Sequence, residues 1–212
     1  MTLALGVLIS GGGTNLQAIL DAVREGRLDA DVKVVISNVE GAFGLERARQ
    51  AGVETLVINH RQFESREAFD EALIAALKEH GVEYVALAGF MRVLRGRFLE
   101  EFRDRTINIH PSLLPAFPGV DAQKQAFDYG VRFAGCTVHF VEPTVDSGPI
   151  ITQRVVPVLE GDTSETLRQR ILAEEHVAFV EALRWISEGR VQIEVGPSGR
   201  RVTRILPPAV SE

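Results

Sequence analysis

The chain has 212 residues, of which 45% are hydrophobic and 25% are charged, a composition that excludes disorder as the main state. The net charge of −6 argues against binding to nucleic acid through bulk charge. The single cysteine, Cys136, excludes an internal disulfide, and no apolar run reaches the roughly 20 residues that span a bilayer. We therefore expect a cytoplasmic protein.

Short apolar runs alternate with helical patterns in the first half of the chain. Strands are predicted at 3–9, 32–37, 55–58, 84–88 and 106–109. Helices are predicted from Leu16 to about Arg24, over 45–51, and from a cap at Ser65 to about Glu79. This alternation predicts an α/β fold, an open, mostly parallel twisted sheet with helices on both faces.

The second half has a different pattern. The strand-like runs 136–141 and 150–157 are joined by a loop long enough for an antiparallel return. A long helix is predicted at about 164–188, with Asp162 and Glu165 spaced as a capping box and Gly189 as its stop. The runs 191–195 and 201–205 predict a terminal hairpin. We expect one domain over 1–189, with a hairpin and tail at 190–212 packed on it as an antiparallel C-terminal extension.

Three glycines follow the first predicted strand and precede a helix, in the sequence Ser-Gly-Gly-Gly-Thr-Asn at 10–15. Glycine lets a backbone approach an anion, the helix N-terminus favours negative charge, and Thr14 and Asn15 add donors to those of Gly13. Leu16 stands where a dinucleotide motif needs glycine, and no Gly-Lys-Ser/Thr follows, which excludes a P-loop. The pattern leaves two alternatives open, a site for a monophosphate or similar small anion and a tight turn without a ligand.

A polar pair lies at the end of the fifth predicted strand. Asn108 and His110 are two residues apart, so they share a face at the edge where open α/β sheets bind ligands. An amide and an imidazole can donate hydrogen bonds to a developing oxyanion, and imidazole can also transfer protons. The alternative is an ordinary strand end. Asp146 can orient a histidine, but the sequence does not pair it with His110, and a turn aspartate is the simpler interpretation.

The remaining titratable residues give weaker signals. The five histidines and Cys136 lack metal-site spacing, so we predict no metal. His139 and Cys136 are predicted to be buried structural residues. The charge pattern of the Glu-Glu-His run that contains Glu175 favours a solvated helix face.

Five segments in order resemble one known family. They are LISGGGTNLQA at 8–18, AFGLERARQAG at 42–52, LAGFMRVL at 87–94, INIHPSLLPAFPG at 107–119 and GCTVHFVEPTVDSGPII at 135–151. Together they are similar to the phosphoribosylglycinamide formyltransferases, a folate-dependent family of purine biosynthesis. The resemblance covers residues 3 to 189 and implies a Rossmann-like formyltransferase domain.

The resemblance also implies a reaction, the transfer of a formyl group from the co-substrate 10-formyltetrahydrofolate to the amine of glycinamide ribonucleotide. The catalytic residues it implies are Asn108, His110 and Asp146. Those implied to bind glycinamide ribonucleotide are Gly13, Thr14, Asn15 and Glu175. Those implied to bind the folate are Arg66, Met91, Arg92, Val93, Leu94 and Asn108. The expected partners are small-molecule substrates, with no nucleic acid and no membrane, and the expected assembly is a monomer or a homodimer.

The chain departs from the family pattern at four positions, Asp121, Pro143, Leu172 and Val180, which bear on substrate affinity and on the shape of the folate loop. Methionyl-tRNA formyltransferase, formyltetrahydrofolate deformylase and sugar-nucleotide formyltransferases are related alternatives. The first two normally carry a further domain, for which this chain has little length, and the glycine loop and Glu175 favour a phosphorylated glycinamide over a sugar nucleotide. A non-catalytic folate- or nucleotide-binding module is an alternative of another class.

Overall fold

The computed structural model describes residues 2–208. The chain forms two compact units, one ending at Asn108 and the other beginning at Ile109. Within residues 2–208, no helix is long and apolar enough to cross a membrane.

The first unit alternates strands and helices, as predicted. Its parallel strands are β1 (Leu3–Ile9), β2 (Ala30–Ser37), β3 (Thr55–Val57), β4 (Tyr84–Leu87) and the start of β5 (Thr106–His110). Its helices are α1 (Thr14–Arg24), α2 (Phe43–Gln50), α3 (Arg66–Glu79) and α4 (Gly96–Glu101), with a short 3-10 helix at His60–Gln62.

Helix α3 shows why the long elements follow from the sequence. Ser65 is its N-cap, and the Ser65 Oγ accepts a hydrogen bond from the Ala68 N–H at 3.1 Å. Phe69, Leu73 and Leu77 recur at helical spacing and are buried. The pattern does not predict α4, because its six residues are too few to show a period.

The second unit is built around antiparallel pairs. Strands β6 (Phe133–Phe140) and β7 (Ile150–Pro157) pair antiparallel, which confirms the predicted return. Strands β8 (Val191–Val195) and β9 (Arg201–Ile205) form a hairpin with the predicted bounds. The helices are α5 (Ala122–Tyr129), which the sequence pattern does not predict, and the long α6 (Ser164–Ser187).

The N-terminus of α6 corrects one prediction. Thr163 is the N-cap, and it forms a capping box with Thr166, through reciprocal hydrogen bonds of 3.2 and 2.9 Å. The predicted box of Asp162 and Glu165 is therefore wrong. Asp162 is instead bound by Arg170, whose guanidinium holds the pKa of that carboxyl well below its usual range.

The strand order β3-β2-β1-β4-β5-β6-β7 describes a seven-stranded sheet that is mostly parallel, and β8 and β9 form a separate two-stranded sheet. The order of the first five strands is that of a Rossmann-like sheet. The predicted fold class is therefore confirmed. The predicted boundary after Gly189 stays a prediction, and residues 209–212 of the predicted tail lie outside the described residues.

Candidate active site

The glycine loop after β1 has a shape that requires glycine at Gly13. Gly13, the N-cap of α1, has a φ of +70°, and a Cβ there would lie 2.6 Å from the Cα of Gly44. The Gly44 N–H donates to the Gly11 carbonyl at 3.0 Å, and Arg47 Nε donates to the Gly12 carbonyl at 2.8 Å. The start of α2 therefore holds the loop in place.

The N-terminus of α1 is suited to an anion. Its N-cap, Gly13, has no side chain to cap the helix, and the first turn carries no acidic residue. A Cβ added at Gly11 or Gly12 would meet no atom within 4 Å, so the space beside these residues is open. Thr14 is half-buried and Asn15 is buried, at the start of the helix. This geometry fits an anion loop.

The segment 91–94 follows β4 and is anchored by a chain of hydrogen bonds within the first unit. The Met91 N–H donates to Ser10 Oγ at 2.8 Å, and Ser10 Oγ donates to Asn38 Oδ1 at 2.5 Å. The side-chain amide of Asn38 lies 3.2 Å from His60 Nδ1. The backbone at Met91 is therefore tied to the ends of β1 and β2.

The predicted folate residues differ in what they expose. The side chains of Met91 and Val93 are 73% and 46% exposed, and Arg92 is half-buried. Leu94 is buried, so only its backbone can meet a ligand without repacking. Arg66 is exposed at the first position of α3. Exposed apolar side chains and guanidinium groups are the kinds of group that bind an aromatic ligand that carries a carboxylate.

His110 and Asp146 lie together in the second unit. His110 Nδ1 is 3.4 Å from Asp146 Oδ2, and the two side chains are only 6% and 11% exposed. His110 Nε2 lies 2.9 Å from the Phe117 carbonyl oxygen, which can only accept a hydrogen bond, so Nε2 carries a proton. The ring therefore lies between the Asp146 carboxylate and the Phe117 carbonyl. Asn108 is two residues earlier on β5 and therefore lies on the same face of the strand as His110.

Asp146 is held in an unusual backbone conformation. Its φ is +52°, a left-handed value that costs a non-glycine residue on the order of 1–3 kcal/mol unless the surroundings impose it. Its Oδ2 also accepts a hydrogen bond from the Gly119 N–H at 2.7 Å. The carboxylate is therefore directed toward His110 from a constrained loop.

His139 is a site residue that the sequence pattern does not reveal. It is buried, and its Nε2 lies 3.8 Å from Asp146 Oδ1. Its Nδ1 lies 2.8 Å from the Phe140 carbonyl, so Nδ1 carries the proton. Burial lowers the pKa of His139, which keeps the ring neutral near pH 7. Asp146 therefore lies between His139 and His110, with the shorter distance to His110.

The structure confirms the prediction for Cys136 and corrects the one for Glu175. Burial raises the pKa of the Cys136 thiol to about 12, and the Glu175 carboxylate adds to the shift. Cys136 is therefore an unreactive buried thiol, as predicted. Glu175 is only 6% exposed, so the solvated-face interpretation is wrong for this residue.

Within residues 2–208, no three or more histidine, cysteine, aspartate or glutamate side chains are grouped so that they could hold a metal ion.

Comparison with known proteins identifies the family. Residues 4–183 match the family model described as formyl transferase. The chain belongs to the formyl transferase family. The resemblance drawn from the five sequence segments is confirmed.

Relatives of this formyl transferase are similar over most of its length. Phosphoribosylglycinamide formyltransferase of Escherichia coli (strain K12) is 43% identical over 187 residues, which cover 88% of each chain. The trifunctional purine biosynthetic protein adenosine-3 of Drosophila pseudoobscura pseudoobscura is 52% identical over 188 residues, 88% of this chain and 14% of that protein. The chain therefore spans about one seventh of the length of that relative. The crystal structure of glycinamide ribonucleotide transformylase 1 from Symbiobacterium toebii superposes with a TM-score of 0.93 at 58% identity, covering 97% of this chain and 95% of that one.

The four departures from the family pattern are spread over the second unit of this formyl transferase. Asp121 is the N-cap of α5, with a φ of +53°. Pro143 is exposed in the loop before Asp146, Leu172 is half-buried on α6, and Val180 is buried on the same helix. None of them replaces His110 or Asp146.

Proposed function

We propose that this chain transfers the formyl group of 10-formyltetrahydrofolate to the amine of glycinamide ribonucleotide, giving formylglycinamide ribonucleotide and tetrahydrofolate in purine biosynthesis. The family membership and the names of the relatives support this proposal. The single observation that carries it is the buried pair of His110 and Asp146, 3.4 Å apart, at the end of β5.

In the proposed reaction the amine attacks the formyl carbon, a C–N bond forms, and the formyl oxygen gains negative charge. The bound 10-formyltetrahydrofolate supplies the electrophilic formyl carbon. We assign to His110 Nε2–H and to the Asn108 amide the donation of hydrogen bonds to that oxygen. The bond between the formyl carbon and the folate nitrogen then breaks, and the proton lost by the amine passes to that nitrogen. No bond to the protein forms, in keeping with the unreactive Cys136.

His110 must exchange one acceptor for another in this scheme. Its Nε2–H now donates to the Phe117 carbonyl, and it would donate to the reacting oxygen instead. The Asp146 carboxylate stays at Nδ1, where it orients the ring and stabilises positive charge on it. Asp146 is therefore proposed as the residue that keeps His110 a strong hydrogen-bond donor.

The binding roles are proposed residue by residue. We assign the phosphate to the backbone of Gly13 and to Thr14 and Asn15, at the uncapped start of α1. We assign the glycinamide ribonucleotide amide or hydroxyl groups to the buried carboxylate of Glu175. For the folate, we assign the ring to the segment of Met91, Arg92, Val93 and Leu94, and the carboxylate tail to Arg66.

The proposal extends to the domain bounds, the location and the assembly of the chain. We assign the formyltransferase domain to residues 1–189 and an accessory segment to 190–212. We propose that the enzyme works in the cytoplasm on small molecules, without nucleic acid, membrane or metal. The net charge of −6 argues against nucleic acid, and the single cysteine fits a reducing compartment. Its assembly is proposed to be a monomer or a homodimer.

An absorbance assay that follows the folate product tests the function. The protein is mixed with a 10-formyl folate and with glycinamide ribonucleotide, glycinamide riboside, an amino-sugar nucleotide or methionyl-tRNA as the acceptor. We expect turnover with glycinamide ribonucleotide and a much higher KM for the riboside, because the riboside lacks the phosphate that the glycine loop binds. Turnover with the sugar nucleotide or the tRNA alone would overturn the proposed substrate. Binding of both ligands without turnover would identify a non-catalytic module.

A further inference from the structure

The terminal hairpin of β8 and β9 contacts the loop that carries Asp146. We call residues 141–149, between β6 and β7, the Asp146 loop. Arg201 Nη1 on β9 lies 3.0 Å from Glu142 Oε1, near the start of this loop. The two side chains are 29% and 26% exposed, so solvent screens this ion pair less than a surface pair.

Two further hydrogen bonds join the hairpin to the other side of Asp146. The Arg200 guanidinium donates to the Ser147 carbonyl at 2.6 Å, and the Thr203 hydroxyl donates to the Ile150 carbonyl. The hairpin therefore holds the chain before and after Asp146.

Apolar packing does not fill the space between the hairpin and the loop. A cavity of about 320 Å³ lies there, lined in part by Leu114, Ile150 and Val202 and by Asp146 itself. Because side chains beside a cavity lack neighbours on one side, they restrain a loop weakly. The polar contacts of the hairpin therefore add to the restraint that the Gly119 N–H provides at Asp146 Oδ2.

Asp146 needs such a restraint. Its left-handed backbone is strained, and a strained conformation persists only where the surroundings impose it. The preceding residues 143–145 are exposed, so the loop is held through the contacts of Glu142, Asp146 and Ser147.

We propose that Arg201 is a positioning residue for formyl transfer. Its ion pair with Glu142 holds the Asp146 loop so that the carboxylate stays against His110. The proposal rests on the role proposed above for Asp146, and Arg201 acts through the loop rather than on the reacting atoms.

A charge exchange tests this proposal in the full chain, with kcat and KM measured for glycinamide ribonucleotide. Arg201→Glu and Glu142→Arg each place like charges together, and we expect each to lower kcat about tenfold with KM within about twofold. The double variant restores the pair in reverse order, and its kcat should return to within about threefold of the wild type. Arg204→Glu makes the same charge change on the opposite face of β9, at an exposed position, and should leave kcat unchanged.

Other variants separate the possible failures. Arg201→Gln removes the attraction without adding repulsion and serves if Arg201→Glu does not fold. If Asp146→Asn keeps full activity, the proposed role of Asp146 is wrong and this inference falls with it. If Asp146→Asn loses activity while both Arg201 variants keep the wild-type kcat, only the positioning role is wrong. Loss in both single variants without recovery in a folded double variant would also overturn the positioning role, since kcat would then not depend on the Arg201–Glu142 ion pair.

Discussion

The glycine loop of the first unit and the His110–Asp146 pair of the second unit reach their geometry in opposite ways. The loop is contiguous in sequence, and its shape follows from backbone freedom at Gly13 and from close contact with Gly44. The pair joins the end of β5 to a residue in the loop between β6 and β7, and it depends on a strained backbone at Asp146. A site built from neighbouring residues can be recognised locally, whereas a site built from distant side chains depends on how the chain folds.

The largest expected effect is on the side-chain pair. His110→Ala removes a hydrogen-bond donor to the reacting oxygen, and we expect kcat to fall about a thousandfold, equivalent to about 4 kcal/mol, with little change in KM. Steady-state kinetics with both substrates measures this effect.

The matched control for His110→Ala is His80→Gln, which alters a histidine at the C-cap of α3 in the first unit and should leave kcat at the wild-type level. A His110→Ala variant that turned over at a rate near that of the wild type would remove His110 from the proposed reaction.

A smaller effect is expected on the stability of the glycine loop. Gly13→Ala places a Cβ at a φ of +70° and 2.6 Å from a backbone atom of Gly44, so we expect a loss of about 2–4 kcal/mol in the free energy of unfolding. Gly12→Ala meets no atom within 4 Å and should change it by less than about 0.5 kcal/mol. Urea denaturation of the two variants makes the comparison. Equal losses at both positions would show that the backbone conformation of Gly13 is not what shapes the loop.

The smallest effect concerns a histidine outside both regions. The Ala76 carbonyl, 2.6 Å from His80 Nδ1, raises the pKa of His80, and Glu54, 3.3 Å from Nε2, adds to this. Because the folded-state pKa lies above the unfolded value of 6.5, protonation stabilises the fold. This contribution is complete below about pH 6.5 and disappears as the pH rises through the folded pKa.

His80→Gln should therefore destabilise the protein by less than about 1 kcal/mol at pH 5.5 and by less still at pH 9. Urea denaturation at both pH values tests this sign. An equal loss of stability at the two pH values would contradict an ionic role for His80.

Local signals predict the elements with strong periods or caps. Helix α3 begins after Ser65 as predicted, and β1, β7, β8 and β9 have the predicted bounds. Helix α4 and the capping box of Thr163 are not predicted correctly. Helix α4 is too short to show a period. Thr163 and its neighbour Asp162 have the same preference for the N-cap position, so the pattern does not choose between them.

The site shows a similar division. The sequence alone indicates Asn108 and His110, because their spacing on one strand puts them on the same face. It does not indicate that His139 lies beside Asp146 or that Glu175 is buried, since neither follows from the alternation or charge pattern around those residues.

The amino-acid sequence by itself determined the α/β alternation, the glycine loop, the terminal hairpin and the family, because periodicity, turn residues and contiguous motifs are properties of neighbouring positions. Only the tertiary structure decided that Asp146 meets His110, that His139 is neutral beside it, and that Arg201 holds the Asp146 loop. The contacts of Asp146 with His110 and of Arg201 with Glu142 join segments far apart in the chain. Strand pairing and loop path bring them together, and burial then lowers the pKa of His139.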